Sequence, residues 1–162
     1  MRMHSNVLRT GFRLGVTVAK RLPSRPLELA AVTMLNRQLA EELIAGEFDF
    51  LDGRQLDIAV TDLGLQLRIG KRAASLVALP RAKPECRADA TIAACAADFL
   101  AIVSGREDPD TLFFQRRLTI SGDTELGLTA KNRLDAIDRG RIPPALQRAI
   151  RAMAESLAPR VA

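Results

Sequence analysis

The stretch DTLFFQRRLTISGDTELGLTAKNRLDAI, residues 110–137, decides the fold of this 162-residue chain. Within it Arg117, Leu118, Thr119, Ile120 and Ser121 alternate with a period of two, the pattern of a half-buried strand. Gly122 supplies the positive φ that a tight exit requires. Asp123 stands where a carboxylate accepts the open N–H groups of a helix start, and Glu125 adds favourable charge in the first turn. Leu126, Ala130, Leu134 and Ile137 then fall within about 80° of one another, a single apolar stripe on a helix. The stretch predicts a strand and a helix joined tightly, with apolar side chains inward. It holds no catalytic constellation.

The same periodicities organise the chain upstream. Residues 27–45 read as a helix with Val32, Leu35, Leu39 and Leu43 on one face and Gly46 as its stop. Pro23 and Pro26 break the chain before it. Period-two alternation predicts strands over Gln55–Thr61 and Leu65–Ile69, joined by a short hairpin turn at Asp62-Leu63-Gly64. Ser75–Leu79 and Ala88–Ala93 read as two more strands, separated by a charged, proline-bearing loop over residues 81–87. Cys95–Val103 reads as a helix with Phe99, Ile102 and Val103 facing in, and the strand of the opening stretch is the fifth. Pro143 and Pro144 start a final helix over residues 145–157, with Leu146, Ile150, Met153 and Leu157 on one side. This order predicts an α+β fold: a sheet of about five mainly antiparallel strands covered by helices. Three parts are expected, namely an arm over residues 1–25, a domain over 26–140 and a C-terminal helix over 141–162.

Charge is distributed unevenly. Residues 1–25 carry six basic and no acidic side chains, so the remaining 18 Lys/Arg and 19 Asp/Glu leave the rest of the chain at a net −1. The basicity therefore belongs to the arm and points to an anionic partner there. Over residues 5–22, Arg2, Arg9, Arg13 and Lys20 share one side of a helix while Phe12 lies among the apolar residues opposite. That pattern fits a helix lying in an anionic membrane interface or on a partner, and also a helix packed on its own domain. With six Phe and neither Trp nor Tyr, the chain offers a poor platform for base stacking, and nucleic-acid binding is not expected. No run reaches the length of a membrane span and no secretory signal is read, so Cys86 and Cys95 are expected reduced in the cytoplasm.

Little of the sequence carries reaction chemistry. The single histidine, His4, leaves nothing for an imidazole base or a His-containing metal site in the domain. Cys86 and Cys95 lack a metal-ligand spacing and a base, and the Gly-rich phosphate loops and the nucleophile-elbow motif are absent. The carboxylates sit at turns, helix ends or polar strand faces. Lys131 and Asn132 read as helix surface, and Arg116 and Arg117 as a solvated strand start. No cofactor and no metal are expected.

Leu118-x-Ile120-x-Gly122-Asp123-x-x-Leu126, together with Leu51-Asp52-Gly53 and Thr61-Asp62-Leu63-Gly64, resembles the sterol carrier protein 2 domain family over roughly residues 26–140. The longer string from Asp110 to Leu118, followed by Gly122–Leu128 and Lys131-Asn132, is similar to a branch serving ubiquinone biosynthesis as accessory factors. The resemblance implies a hydrophobic tunnel between sheet and helices that holds a lipid tail, and no catalysis. Its expected ligands are a ubiquinone precursor, a quinone or a phospholipid. Expected partners are hydroxylating proteins of the UbiU and UbiV type, in an oxygen-independent route, at the cytoplasmic face of the inner membrane. Candidate lipid-contacting residues are Phe99, Leu112, Phe113, Phe114, Leu118, Leu126, Leu128 and Ala130; Arg9, Phe12, Arg13 and Lys20 are the candidate membrane or partner contacts. The alternative is an interaction scaffold whose apolar groove receives a partner helix.

Overall fold

The computed structural model describes residues 24–80 and 87–136, together with 144, 147, 148 and 152. The arm with Arg9, Phe12, Arg13 and Lys20, the thiol Cys86, Ile137 and most of the final helix lie outside the described residues.

Helix α1 (Ser24–Gln38) begins earlier than its apolar pattern, with Pro26 in the first turn, where a missing N–H costs little. The long helix expected to reach residue 45 is instead two. Leu39, at φ −108° and ψ 18°, kinks the chain before α2 (Ala40–Ile44). Leu39 and Leu43 stay buried on either side of that kink. Gly46, at φ +79°, then turns the chain, and a 3-10 turn at Asp49–Leu51 leads to Gly53 at φ +70°.

Five strands follow, in the spatial order β3-β2-β1-β4-β5: β1 (Leu56–Val60), β2 (Leu65–Arg72), β3 (Ser75–Ala78), β4 (Ala90–Ala94) and β5 (Thr119–Gly122). Three of the four pairings are antiparallel, in line with a mainly antiparallel sheet. The central one is not: β1 and β4 run parallel, from Leu56 beside Ala90 to Val60 beside Ala94. The hairpin occupies one edge of β1, so β4 joins the other edge pointing the same way. In this register Leu56, Ile58, Leu67, Ile69, Leu76, Ile92 and Ile120 share one face. The edge strand β3 is clasped by α1: the Asn36 amide donates to Leu76 O at 2.9 Å and accepts from Leu76 N at 2.7 Å. Those bonds satisfy backbone groups that an edge strand would otherwise present for pairing.

Helix α3 (Ala96–Val103) starts where Ala96 N donates to the Asp62 carboxylate at 2.9 Å. Its inward side differs from expectation. Val103 is 37% exposed, whereas Asp98 is buried, because Asp98 accepts from the Arg117 guanidinium and the Cys95 thiol. The double aromatic, unassigned by periodicity, lies in a further helix, α4 (Pro109–Phe114), with Asp108 as N-cap accepting from Thr111 N at 2.8 Å. Past its end Arg116 takes φ +58°, in the left-handed region that glycine usually fills there.

Helix α5 (Thr124–Asp135) forms as the opening stretch requires. Asp123 caps it, accepting from Leu126 N at 3.0 Å, and Leu126 and Ala130 face inward. Gly122 is obligatory: it holds φ +84°, and a Cβ there would collide with Asp89 O. Gly127 lets α5 lie directly on β5, since its Cβ would fall under 3.0 Å from Ile120 Cγ2.

Candidate functional site

The covered face of the sheet and the helices line an apolar cavity of about 40 Å³ that is partly open at the surface. Its floor is the sheet, through Leu56, Ile58, Ile69, Leu76 and Ile92. Leu35 and Leu39 close it from α1 and the kink, and Ala130 and Arg133 from α5. Phe48, Phe50 and Leu51, from the turn between α2 and β1, form the remaining wall. Alternation in β1 and β2 puts the floor residues on one face, the i, i+4 spacing puts Leu35 and Leu39 together, and the Asp123 cap sets the angle of α5. Arg133 is the single charged residue in the lining, and its guanidinium is drawn outward to the Glu47 carboxylate. Such a wall offers area to an apolar chain and almost nothing to a hydrogen-bonding one.

The rim carries the charge. Lys71 Nζ donates to Asp49 Oδ1 at 2.6 Å and to Asp52 Oδ1 at 3.0 Å; its side chain is 6% exposed, while the two carboxylates are mostly in solvent. The Asp49 and Asp52 hydrogen bonds hold the Lys71 ammonium above its ordinary pKa. At the far end Arg54 Nη1 meets Asp123 Oδ2 at 2.7 Å. Backbone N–H donation from Leu126, then the Arg54 charge, hold the Asp123 carboxyl below the usual carboxylate range.

Of the eight residues expected to contact lipid, Ala130 lines this cavity. Leu112, Leu118 and Leu126 belong to the surrounding core, with exposures of 0%, 1% and 2%. Phe99 and Phe113 are partly buried against that core, and Leu128 is half-buried. Phe114 points outward at 80% exposure, its ring edge-on to Phe113. The double aromatic therefore splits, one ring in and one out. Lys131, expected on the helix surface, is buried and paired with Asp110 of α4. Arg117 is not simply solvated either, since it bridges Asp98 and Glu107.

The walls that periodicity missed are Phe48, Phe50 and Leu51. They sit in a short turn among acidic residues, where no helical or strand period operates; the signal available was the Gly46 and Gly53 pair bracketing three large apolar side chains. Cys95 donates to Asp98 Oδ2 at 3.1 Å, and burial, then that carboxylate, push its thiol pKa up, so it stays protonated and a poor nucleophile. Among the described residues, no group of three or more His, Cys, Asp or Glu is placed to hold a metal ion. Within the same residues, no helix is long and apolar enough to cross a membrane.

The family model described as "SCP-2 sterol transfer family" matches residues 33–135, which include the sheet, α5 and the C-terminal part of α1 from Thr33 on. The chain belongs to this family. It is 46% identical over 114 residues to "Ubiquinone biosynthesis accessory factor UbiT" of Escherichia coli strain K12, an alignment covering 70% of this chain and 63% of that protein. The protein of the same description from Escherichia coli O157:H7 matches with the same identity and coverage. The chain thus spans somewhat less than two thirds of the length of these relatives. Among solved structures, "UbiJ-SCP2 Ubiquinone synthesis protein" superposes with a TM-score of 0.56 at 21% identity, covering 72% of this chain and 100% of that one. That likeness establishes the fold.

Proposed function

We propose that this protein is a non-catalytic lipid-binding accessory factor of ubiquinone biosynthesis. It holds the isoprenoid tail of a quinone precursor or a related lipid and presents the head to partner enzymes. The observation that carries the reading is the apolar cavity between sheet and helices in a chain of the SCP-2 sterol transfer family. Its similarity to UbiT supports the pathway, and proteins of the UbiU and UbiV type are the proposed recipients of the bound precursor.

Burial of the tail supplies the driving force, at about 25 cal/mol per Å² of apolar area before the cost of ordering the chain. Ala130 contacts the tail directly. Leu126, one turn earlier on α5, and the neighbouring Phe99, Leu112, Phe113, Leu118 and Leu128 come within reach as the cavity widens. Phe114 meets lipid from outside, at a membrane surface. Arg9, Arg13 and Lys20 dock the arm on anionic lipid with Phe12 inserted, placing the protein peripherally on the cytoplasmic face of the inner membrane.

A second reading is favoured by two observations: the small volume of the cavity, and Leu27, Leu29 and Met34 of α1, exposed at 50%, 56% and 39%. In it the chain is an interaction scaffold and the core remains closed. Native mass spectrometry of the purified protein, with extraction of its bound lipid, separates the two. Co-purifying isoprenoid or uptake of a quinone-like tail supports the carrier. Consistent absence of both, with a stable protein complex in their place, leaves the scaffold. Flotation with anionic vesicles tests the arm, because unchanged binding after Arg9→Glu, Arg13→Glu and Lys20→Glu together removes it from the account.

A further inference from the structure

A cavity of about 40 Å³ holds only about three times the smallest volume that accepts one water molecule. An isoprenoid tail of many carbons cannot occupy it as it stands. If the chain carries such a tail, as proposed above, one wall must move, and the walls are not held alike. The sheet floor is fixed by strand pairing on both sides of β1, β2 and β4. Helix α1 is clasped to β3 through Asn36, and α5 is seated by its Asp123 cap, by Gly127 against Ile120 and by Lys131 on Asp110.

The segment Gly46–Gly53 differs from these walls in three respects. Its backbone hydrogen bonds are local: Gly46 N reaches Leu43 O, Asp49 N reaches Gly46 O, Leu51 N reaches Phe48 O, and Asp52 N reaches Asp49 O. It meets the sheet backbone at one isolated bridge, Asp52 beside Lys71. A glycine in the left-handed region stands at each end, at φ +79° and +70°. At Gly46 the positive φ is what calls for glycine, since the nearest atoms a Cβ would meet belong to the exposed Asp49 side chain.

What holds the segment down is its own side chains. Phe48 and Leu51 are buried and Phe50 half-buried against the cavity, with the Phe48 and Phe50 rings 5.8 Å apart. On the outside Glu47 reaches Arg133, while Asp49 and Asp52 reach Lys71. The Glu47–Arg133 pair is exposed on both sides and weak on its own, while the Lys71 ammonium is buried and its two carboxylates reach it from solvent. We propose that Gly46–Gly53 is the door of the cavity, a strap that swings on its two glycines, carries Phe48, Phe50 and Leu51 away together, and admits the lipid tail between β2 and α5. When closed, Lys71 and Arg133 latch it.

A disulfide across the bridge tests this directly. Asp52 and Lys71 are bridge partners, at a separation that a disulfide spans. Asp52→Cys and Lys71→Cys are introduced into the full chain with Cys86→Ser and Cys95→Ser, and disulfide closure is verified by mass. Uptake of a tritiated C40 polyprenol from vesicles is then timed. The expected result is at least a tenfold lower uptake rate when oxidised, full recovery with dithiothreitol, and retention of polyprenol loaded before oxidation. Equal rates in the two states overturn the door.

An opposite perturbation guards against a disulfide that fails to form. Glu47→Gln with Asp49→Asn keeps the shapes and weakens the latch, so uptake is expected to accelerate several-fold with the amount bound at saturation unchanged. An unchanged or slower rate overturns the proposal. Uptake by the wild-type chain with no effect of locking removes the door alone, whereas no uptake by any form removes the lipid reading and the door with it.

Discussion

Replacing Gly127 by Ala sets two effects of opposite sign against each other. In an ordinary helix interior the change stabilises by roughly 1 kcal/mol, because glycine has more backbone freedom to lose on folding. Gly127, however, is buried where α5 lies on β5, and the new Cβ would fall under 3.0 Å from Ile120 Cγ2. Ordinary carbon contacts need about 3.5–4.0 Å, and the branched Ile120 side chain, stiff at χ1, cannot easily turn aside. Overpacking of this kind costs about 1–3 kcal/mol. The net expectation is a loss of up to about 2 kcal/mol. Urea denaturation followed by far-ultraviolet circular dichroism measures it; with neither Trp nor Tyr in the chain, intrinsic fluorescence offers no useful probe. The decisive arm is the background. In Ile120→Ala the clashing methyl is gone, so Gly127→Ala should become stabilising there, by up to about 1 kcal/mol. If Gly127→Ala stabilises the wild type, or destabilises both backgrounds equally, the close seating of α5 on β5 is wrong.

Three further expectations follow from the same packing. Ala130→Val fills apolar space of about 40 Å³ at about 24 cal/mol per Å³, so stability rises by at most about 1 kcal/mol while polyprenol binding falls; unaltered binding would remove Ala130 from the ligand's path. Asp57 and Arg68, facing each other across β1 and β2, form a two-bond ion pair at 2.8 Å with side-chain exposures of only 3% and 6%. Asp57→Leu alone should therefore cost about 3–5 kcal/mol, and Asp57→Leu with Arg68→Met far less, so equal losses in a denaturant series contradict the pairing. Finally, the Asp123 pKa is depressed below its ordinary 3.8, so its contribution is complete above that value and is lost as the pH falls through the lower folded value. Asp123→Asn should flatten the acid-side decline of the urea midpoint below about pH 4, and an unchanged slope would show that the carboxylate is not ionised at the cap.

Much of the scaffold could be read from the sequence because its signals are local. The alternation of Leu56, Ile58 and Val60, the Thr61–Gly64 turn and the cap at Asp123 each depend on a few neighbouring residues, and each appears where the pattern puts it. What escaped depends on partners far along the chain. Lys131 is buried only because Asp110, 21 residues earlier, arrives to meet its charge. Asp98 turns inward only because Arg117, 19 residues later, supplies a guanidinium. Helix α4 is six residues long, too short to display a period, so Phe113 and Phe114 gave no warning that one would be half-buried and the other exposed. The site divided along the same line. Ala130 followed from the stripe on α5, while the wall of Phe48, Phe50 and Leu51 is a 3-10 turn whose inward direction is set by two glycines and by charges on other elements.

The parallel seam at the middle of the sheet also bears on how the chain comes to be folded. β1, β2 and β3 are joined by short turns and can zip together early, but β1 then waits for β4, whose Ala90 pairs with a residue 34 positions earlier. Closing so long a loop precedes any gain from the contacts it makes, which slows the step. During synthesis the Leu56–Val60 edge therefore emerges unpaired and apolar, the kind of edge that recruits other chains. Substitutions that delay β4, such as a bulkier residue at the fully buried Ala90, should show themselves first as aggregation of the nascent protein and only afterwards as loss of the native state.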